Sequence, residues 1–209
     1  MLVLASASPR RRDLLVQAGY EFEVLPAEVP EDLRPGESPI PYVLRLAREK
    51  AQAVAASREL ASLAHHRRPP LILGADTTVL APTGELLAKP GDDADAARML
   101  RLLSGATHQV ITGVALLAGQ TLDMAAEVTH VTVQTLSDAD IAAYLASGEH
   151  RGKAGAYAIQ GRAARWIPRI HGCYFNVVGL PLALVAGMIE AMEQRRSLRS
   201  TTPASLSSL

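Results

Sequence analysis

The sequence has one cysteine, no excess of either charge and no long apolar run. Cys173 alone excludes an internal disulfide and a four-cysteine zinc site. Lys plus Arg number 21, as do Asp plus Glu, and this balance argues against a broad basic surface for nucleic acid. No segment reaches the roughly 18 apolar residues of a membrane helix, and no basic leader precedes the first apolar stretch. We therefore expect a cytoplasmic protein with neither a nucleic-acid nor a membrane partner.

Three familiar nucleotide or hydrolase motifs are also missing. The letters around Lys153 are similar to a phosphate-binding P-loop, but only three residues separate Gly148 from Gly152 where four are required. Ala154 also stands where a Ser or Thr would hold magnesium. No G-x-G-x-x-G follows a strand and no G-x-S-x-G is present. The sequence thus predicts neither a P-loop NTPase, nor a dinucleotide-binding Rossmann domain, nor an α/β-hydrolase.

Strand and helix patterns alternate along the chain and predict an α/β fold with a mixed sheet. One large domain is expected over residues 1–194, and the polar, serine-rich stretch 195–209 is predicted to be a disordered tail. A loose surface connection is expected over 61–70. The predicted strands are 2–5, 20–25, 71–80 (buried and parallel), 109–117 and 127–136 (an antiparallel pair joined through Gly119) and short strands around 165–170. The first helix is predicted to follow Ser8. Further helices are predicted over 42–56, 92–103, from Ser137 to Gly148, and over 181–193.

The first helix begins with an unusual concentration of positive charge. Pro9 suits the first helical position and Ser8 the N-cap. Arg10, Arg11 and Arg12 work against the helix dipole there, and a phosphate between them would explain their placement. An ordinary surface helix with solvated arginines explains the same residues equally well.

Asp76 is the most conspicuous acid, because it is predicted to end an apolar strand. A buried carboxylate requires a cation, a metal or hydrogen-bond donors nearby. Lys50, Lys89 and Lys153 each lie near a predicted helix end or glycine turn, where any one of them alone reads as a surface residue. Together with Arg10 and Arg11 these lysines could supply the dispersed positive charge that a triphosphate needs.

Six segments, in order, carry a resemblance to a known family. The chain resembles the Maf family of nucleoside triphosphate pyrophosphatases from about residue 2 to residue 190. The matching segments are SASPRR at 6–11, GADT at 74–77, LAKP at 87–90, LSGATHQVITGV at 103–114, KAGAYAIQG at 153–161 and NVVGLP at 176–181.

The resemblance implies an inosine-triphosphatase-like α/β fold, with an elongated mixed sheet and two lobes around a nucleotide cleft. It implies hydrolysis between the α- and β-phosphates of a nucleoside triphosphate, with Asp76 as the proton acceptor. Arg10, Thr77 and Gln160 match positions of substrate choice and indicate the dTTP- and UTP-preferring branch. The branch that prefers 7-methyl-GTP typically has an aromatic residue in place of this arginine, and Gln and Glu at the other two positions.

The family mechanism also suggests how the triphosphate is held. Ser8, Arg11, Lys50, Lys89 and Lys153 are the candidate phosphate-binding residues. A divalent cation, Mg²⁺ or Mn²⁺, is expected on Glu31 and Asp76, which offer hard oxygen ligands. The family commonly has an acidic pair in the loop around Glu31, but Pro30 takes the first place here, so the second ligand and the role of Glu28 stay open.

The expected partner is the nucleoside triphosphate itself, and a homodimer is left open. The expected role is to limit incorporation of modified nucleotides, with a link to arrest of cell division. Two alternatives remain at this point. One is a non-catalytic nucleotide-binding regulator of septum formation, and the other is a pyrophosphatase for a modified or purine nucleotide.

Overall fold

A computed structural model describes residues 1–63 and 69–201, which form one mixed seven-stranded sheet flanked by helices. The strand order is β2-β1-β3-β5-β6-β7, and β4 pairs with β3. The strands are β1 (Leu2–Leu4), β2 (Phe22–Val24), β3 (Leu71–Leu80), β4 (Leu86–Leu87), β5 (Thr107–Ala118), β6 (Thr121–Thr132) and β7 (Arg169–His171).

The pairing of β3 makes the sheet mixed. β3 runs parallel to β1 but antiparallel to β4 and β5, so the expectation of a buried parallel strand at 71–80 is confirmed toward β1 and wrong toward β4 and β5. β5 and β6 form the predicted antiparallel pair and turn at Gly119. β6 ends at Thr132, before the predicted 136. Val133 N–H still donates to Ala106 O in the register of the ladder, and Gln134 N–H then donates to Trp166 O, outside β5. The α/β class with a mixed sheet is confirmed, and the two lobes stay a prediction.

The described residues contain seven α-helices and two short 3₁₀ helices. Three of them begin at a side-chain cap: Ser8 and Ser137, as the sequence predicts, and Asp92, which was predicted to be the first residue of its helix, each accept a backbone N–H three residues on. The α-helices are α1 (Pro9–Gln17), α2 (Pro39–Ala55), α3 (Arg58–Leu63), α4 (Asp93–Leu103), α5 (Asp138–Ala146), α6 (Tyr174–Val178) and α7 (Leu182–Thr201), and the 3₁₀ helices are Ala154–Ala156 and Arg162–Trp166.

The structure places two boundaries differently from the sequence predictions, at the end of α7 and at the connection 61–70. α7 continues to Thr201, so a tail beginning at 195 is wrong: Arg195 pairs with Asp123, and Arg196 donates to Glu193 at 3.1 Å. Residues 202–209 lie outside the described residues. In the predicted loose connection 61–70, residues 61–63 belong to α3, and 64–68 lie outside the described residues.

The two faces of the sheet carry separate apolar clusters. One face packs against α2 through a small cluster that includes Val3, Ile72 and Ala115. The other face supports the larger core, to which α4, α5 and α7 contribute residues such as Met99 and Val185. None of the helices in the described ranges has both the length and the apolar character needed to span a membrane.

Helix α2 approaches its sheet face unusually closely, at two glycines. A Cβ on Gly74 would overlap Ala47 O, and one on Gly113 would lie 2.5 Å from Val43 C. Gly113 is the register partner of Asp76 across β3 and β5. Because α2 touches the strand backbones here, its polar side chains reach the level of Asp76.

The strands also leave one edge of β3 open. β1 pairs with residues 71–73 of β3 and β4 pairs with 79–80. In the described part of the chain, residues 74–78 therefore have a neighbouring strand on the β5 side only. This break in the sheet edge contains Asp76 and Thr77.

Candidate active site

A cleft of about 720 Å³ opens at this break in the sheet edge. Asp76 lies in the middle of β3, not at its end as the sequence predicted, and it reaches the cleft because the strand edge is open there. The structure brings all of the predicted site residues to this one cleft. They are Ser8, Arg10, Arg11, Glu31, Lys50, Asp76, Thr77, Lys89, Lys153 and Gln160, together with Glu28.

Lys50 joins the two carboxylates of the cleft. Its Nζ donates to Asp76 Oδ1 at 2.7 Å and to Glu31 Oε1 at 2.7 Å. Lys50 and Asp76 are both largely buried, so each charge is compensated by the other where little water reaches. Lys89 lies on the outer side of Glu31, with its Nζ 3.4 Å from Oε2. The cleft thus holds two carboxylates and two ammonium groups in one connected chain.

Burial tends to raise the pKa of Glu31, but the hydrogen bonds and charges of Lys50 and Lys89 outweigh burial and lower it below its usual range. Glu31 is therefore ionised at neutral pH. Mg²⁺ in proteins commonly binds through one or two carboxylates plus substrate phosphates. Within residues 1–63 and 69–201, no group of three or more His, Cys, Asp or Glu side chains could hold a metal by itself. The two oxygen donors fit a cation that is shared with a phosphate.

Arg11 lies on the opposite face of the strand from Lys50 and is buried. Its Nε donates to Gly179 O at 2.9 Å, its Nη1 to Ser6 Oγ at 3.1 Å and its Nη2 to Thr77 Oγ1 at 3.0 Å. These partners are all neutral, and burial lowers the pKa of Arg11. The side chain is thus a rigid positive charge at the cleft wall. Arg12 is exposed and pairs with its neighbour Asp13, as expected of a solvated helix residue.

Arg10 and Lys153 form a second group of positive charge. Arg10 is partly buried, and its side chain has neither a hydrogen bond nor an ion pair within the part of the chain that the structure describes. Burial lowers the pKa of Lys153, and the nearby charge of Arg10 lowers it further. Two cations that repel each other at the rim of a cleft favour an anion between them. Gln160, at the same rim, has an exposed side chain.

Sequence reasoning missed the buried pair that supports this rim. His108 Nε2 lies 2.8 Å from Tyr157 Oη, and burial lowers the pKa of His108 to about 4, so the ring is neutral. Tyr144 Oη accepts the N–H of Ala158 at 3.1 Å. The same segment contains Ala156 at φ 61°, a left-handed conformation that costs a non-glycine residue free energy. The available signal was a histidine within the strand sequence THQVITGVALLA, whose buried positions are mostly apolar.

A buried polar network on the far side of Thr77 was missed as well. Thr77 Oγ1 lies 2.9 Å from Thr112 Oγ1, and Thr112 Oγ1 donates to Asn176 O at 3.4 Å. Asn176 Nδ2 donates to Val110 O and to Thr129 Oγ1, both at 2.9 Å. Asn176 therefore fixes the segment 176–181 to β5 and β6. The same segment contains Gly179, whose carbonyl accepts from Arg11.

Comparison with known proteins finds one family over nearly the whole described chain. Residues 1–192 match the family described as Maf-like protein. A dTTP/UTP pyrophosphatase of Koribacter versatilis is 50% identical over 188 residues, covering 90% of this chain and 92% of the relative. One of Salmonella typhimurium is 54% identical over 182 residues, covering 87% of each, and one of Geobacter sulfurreducens is 50% identical over 186 residues, covering 88% and 92%.

Proposed function

Because the chain belongs to the Maf-like protein family, we propose that it is a nucleoside triphosphate pyrophosphatase that hydrolyses dTTP and UTP. The observation that carries this proposal is the placement of Asp76. This carboxylate is buried at the floor of a cleft whose walls carry five cations, the side chains of Arg10, Arg11, Lys50, Lys89 and Lys153. A polyanion with a reactive phosphorus is the ligand that such a cleft suits.

In the proposed reaction, Asp76 accepts a proton from water. Lys50 holds Oδ1, and Oδ2 accepts no hydrogen bond from the residues that the structure describes, so Oδ2 is the oxygen available to the water. The water oxygen forms a bond to phosphorus as the bond between the α- and β-phosphates breaks. The nucleoside monophosphate and pyrophosphate leave, and the proton that water loses goes to Asp76.

The cations of the cleft would bind and orient the triphosphate. Lys89, Lys153 and Ser8 line the cleft and would contact phosphate oxygens, whereas Arg11 would act mainly through its fixed charge, because Nε, Nη1 and Nη2 each already donate one hydrogen bond within the protein. Asp76 and Glu31 would hold Mg²⁺ or Mn²⁺, which when bound supplies Lewis-acid stabilisation of charge on the phosphate oxygens.

Substrate choice is assigned to Arg10, Thr77 and Gln160. The Gln160 amide has both donor and acceptor atoms, which suits the imide edge of thymine or uracil. Thr77 contacts Arg11 and Thr112, so it influences the ligand through Arg11. Discrimination between dTTP and UTP should be small, because one methyl group is worth at most about 1–3 kcal/mol.

Asp76→Asn tests the proposal with little change in side-chain shape. We expect dTTP binding to persist and the pyrophosphate release rate to fall by about 10²–10⁴, the usual contribution of a general base. Asp138→Asn is the matched control, because Asp138 is 82% exposed on α5 and lies outside the cleft. Unchanged pyrophosphate release by Asp76→Asn would contradict the assignment.

A panel of canonical and modified nucleoside triphosphates, assayed with Mg²⁺ and with Mn²⁺, separates the alternatives. Preference for 7-methyl-GTP or a purine nucleotide would contradict the proposed branch. Nucleotide binding without pyrophosphate release from any of them would favour a non-catalytic regulator. The cytoplasmic location, the homodimer, the removal of modified nucleotides and the link to cell division stay predictions.

A further inference from the structure

Glu31 reaches the active cleft from a segment with no regular secondary structure. The acidic loop, residues 25–38, connects β2 to α2 without any strand or helix. Strands and helices hold functional side chains more rigidly than loops do, so a carboxylate on such a loop needs contacts that fix the backbone around it. The structure provides these contacts from a single helix, α2.

Two side chains of α2 bind the loop backbone at Glu31 and at the residue after it. Tyr42 Oη donates to Glu31 O at 2.8 Å, and Arg45 Nη2 donates to Asp32 O at 3.0 Å. Lys50, five residues beyond Arg45 on the same helix, binds the Glu31 carboxylate. Both the backbone and the side chain of Glu31 are therefore held by α2.

Arg45 also binds the far end of the loop through a bidentate ion pair. Its Nε lies 2.7 Å from Glu37 Oε1 and its Nη2 lies 2.7 Å from Glu37 Oε2, and its Nη1 lies 3.2 Å from Glu49 Oε2. The Arg45 side chain is only 7% exposed. The hydrogen bonds from Arg45 lower the pKa of Glu37 to about 2 despite some loss of hydration. A buried planar fork of this kind fixes geometry in a way that a lysine does not.

We propose that Arg45 and Tyr42 are positioning residues, which hold Glu31 beside Lys50 and Asp76 and so set the affinity of the cleft for a divalent cation. The inference rests on the proposed function, because it takes Glu31 as a ligand of that cation. Neither residue needs to touch the cation. Loss of an outer partner of a metal ligand typically lowers metal affinity about 10- to 100-fold.

A purely structural role for the clamp, as we call the contacts of Tyr42 and Arg45 with the acidic loop, is the competing explanation. In that case, weakening the Arg45 fork would lower the melting temperature and leave the metal affinity unchanged. Two measurements separate the explanations without relying on turnover. Electron paramagnetic resonance of free Mn²⁺ gives the affinity of the protein alone for the metal, and amide hydrogen exchange over residues 28–37 reports whether the loop is held.

The variants are Arg45→Lys, which keeps the charge and loses the fork, and Tyr42→Phe, which removes one hydroxyl. Glu31→Gln defines the affinity without the carboxylate. Arg98→Lys is the matched control, because Arg98 forms a similar pair of ionic hydrogen bonds, to Glu85 and Asp95, outside the cleft. Tyr42→Phe is a mild change that keeps the ring, so it tests the proposal even if Arg45→Lys fails to fold.

We expect Mn²⁺ to bind about 10-fold more weakly to Arg45→Lys than to the wild type, the lower end of outer-shell effects. We expect about 5-fold weaker binding to Tyr42→Phe, the order of one net hydrogen bond. Both variants should exchange faster over 28–37, and Arg98→Lys should match the wild type.

Two results would overturn the inference. The first is wild-type Mn²⁺ affinity in Arg45→Lys and Tyr42→Phe despite faster loop exchange. The second is equal affinity in the wild type and Glu31→Gln, which would remove Glu31 from the metal site. If instead the metal affinities follow the clamp but the wild type releases no pyrophosphate from dTTP or UTP, the proposed function fails and the clamp stands.

Discussion

Gly113→Ala should separate Lys50 from Asp76 without altering either residue. A Cβ at position 113 would lie 2.5 Å from Val43 C and O and 2.7 Å from Leu44 N, all of them backbone atoms of α2. Ordinary contact begins at 3.4 Å, so the helix must move away from β5 by about 1 Å. Gly113 does not adopt a positive φ, and the backbone conformation itself accepts alanine.

Two effects of this displacement can be estimated. Overpacking of this kind typically costs about 1–3 kcal/mol of unfolding free energy. The displacement also acts on the 2.7 Å contact between Lys50 Nζ and Asp76 Oδ1, and a misplacement of about 1 Å can lower the catalytic rate about 100-fold. The variant should therefore remain folded at 25 °C and lose most of its kcat for dTTP.

Urea unfolding and pyrophosphate release from dTTP measure the two effects separately. Gly187→Ala adds the same methyl group inside α7, where nothing lies within 4 Å of the new carbon, and it should leave kcat unchanged and slightly raise stability. A folded Gly113→Ala protein with wild-type kcat would refute the reasoning, because the close approach of α2 would then not position Lys50.

Three further predictions concern His108, Gln160 and Asn176. Burial holds the pKa of His108 at about 4, whereas the pKa in the unfolded chain is 6.5. The neutral ring therefore contributes about 3 kcal/mol to the free energy of unfolding above pH 6.5, and this contribution is lost as the pH falls through 4. Urea unfolding of His108→Gln should lose less stability between pH 7 and pH 4.5 than the wild type does, and equal losses would contradict the pKa. Gln160→Ala should raise KM for both dTTP and UTP about 10-fold through lost hydrogen bonds, with kcat little changed, and an unaltered KM would exclude a role in base recognition. Asn176→Ala should lower the free energy of unfolding by about 2–4 kcal/mol, because two buried acceptors lose their donor, and wild-type stability in urea would contradict this.

The sequence predicts much of what depends on local pattern. Ser8, Pro9 and Ser137 mark helix starts by capping chemistry that acts within one turn, and the β5–β6 pair alternates as a hairpin does. The residues that the collinear segments single out also lie in one cleft, and their roles stay predictions. Local signals suffice where the determining contacts are near in sequence.

Most of the structural features that the sequence does not predict depend on contacts between segments that are far apart in the chain. Arg45 looks like a solvated charge on an amphipathic helix, but its partner Glu37 is in a loop whose path no periodicity specifies. Arg11 finds Gly179 across 168 residues, and that contact converts a presumed free phosphate ligand into a fixed buried charge. The extension of α7 similarly depends on Asp123 in β6, which gives Arg195 a partner beyond the apolar part of the helix.

The open edge of β3 has a consequence for self-association. An unpaired strand edge is a template on which a strand of another molecule can add. Beside this edge, over residues 74–78, lies the ion pair of Asp76 and Lys50, which keeps only a small exposed area, and a strand that added there would remove the remaining contact of both charges with water. The side chains assigned to hydrolysis thus also protect the sheet from edge-to-edge aggregation, and variants that neutralise both should lose solubility before they lose their fold.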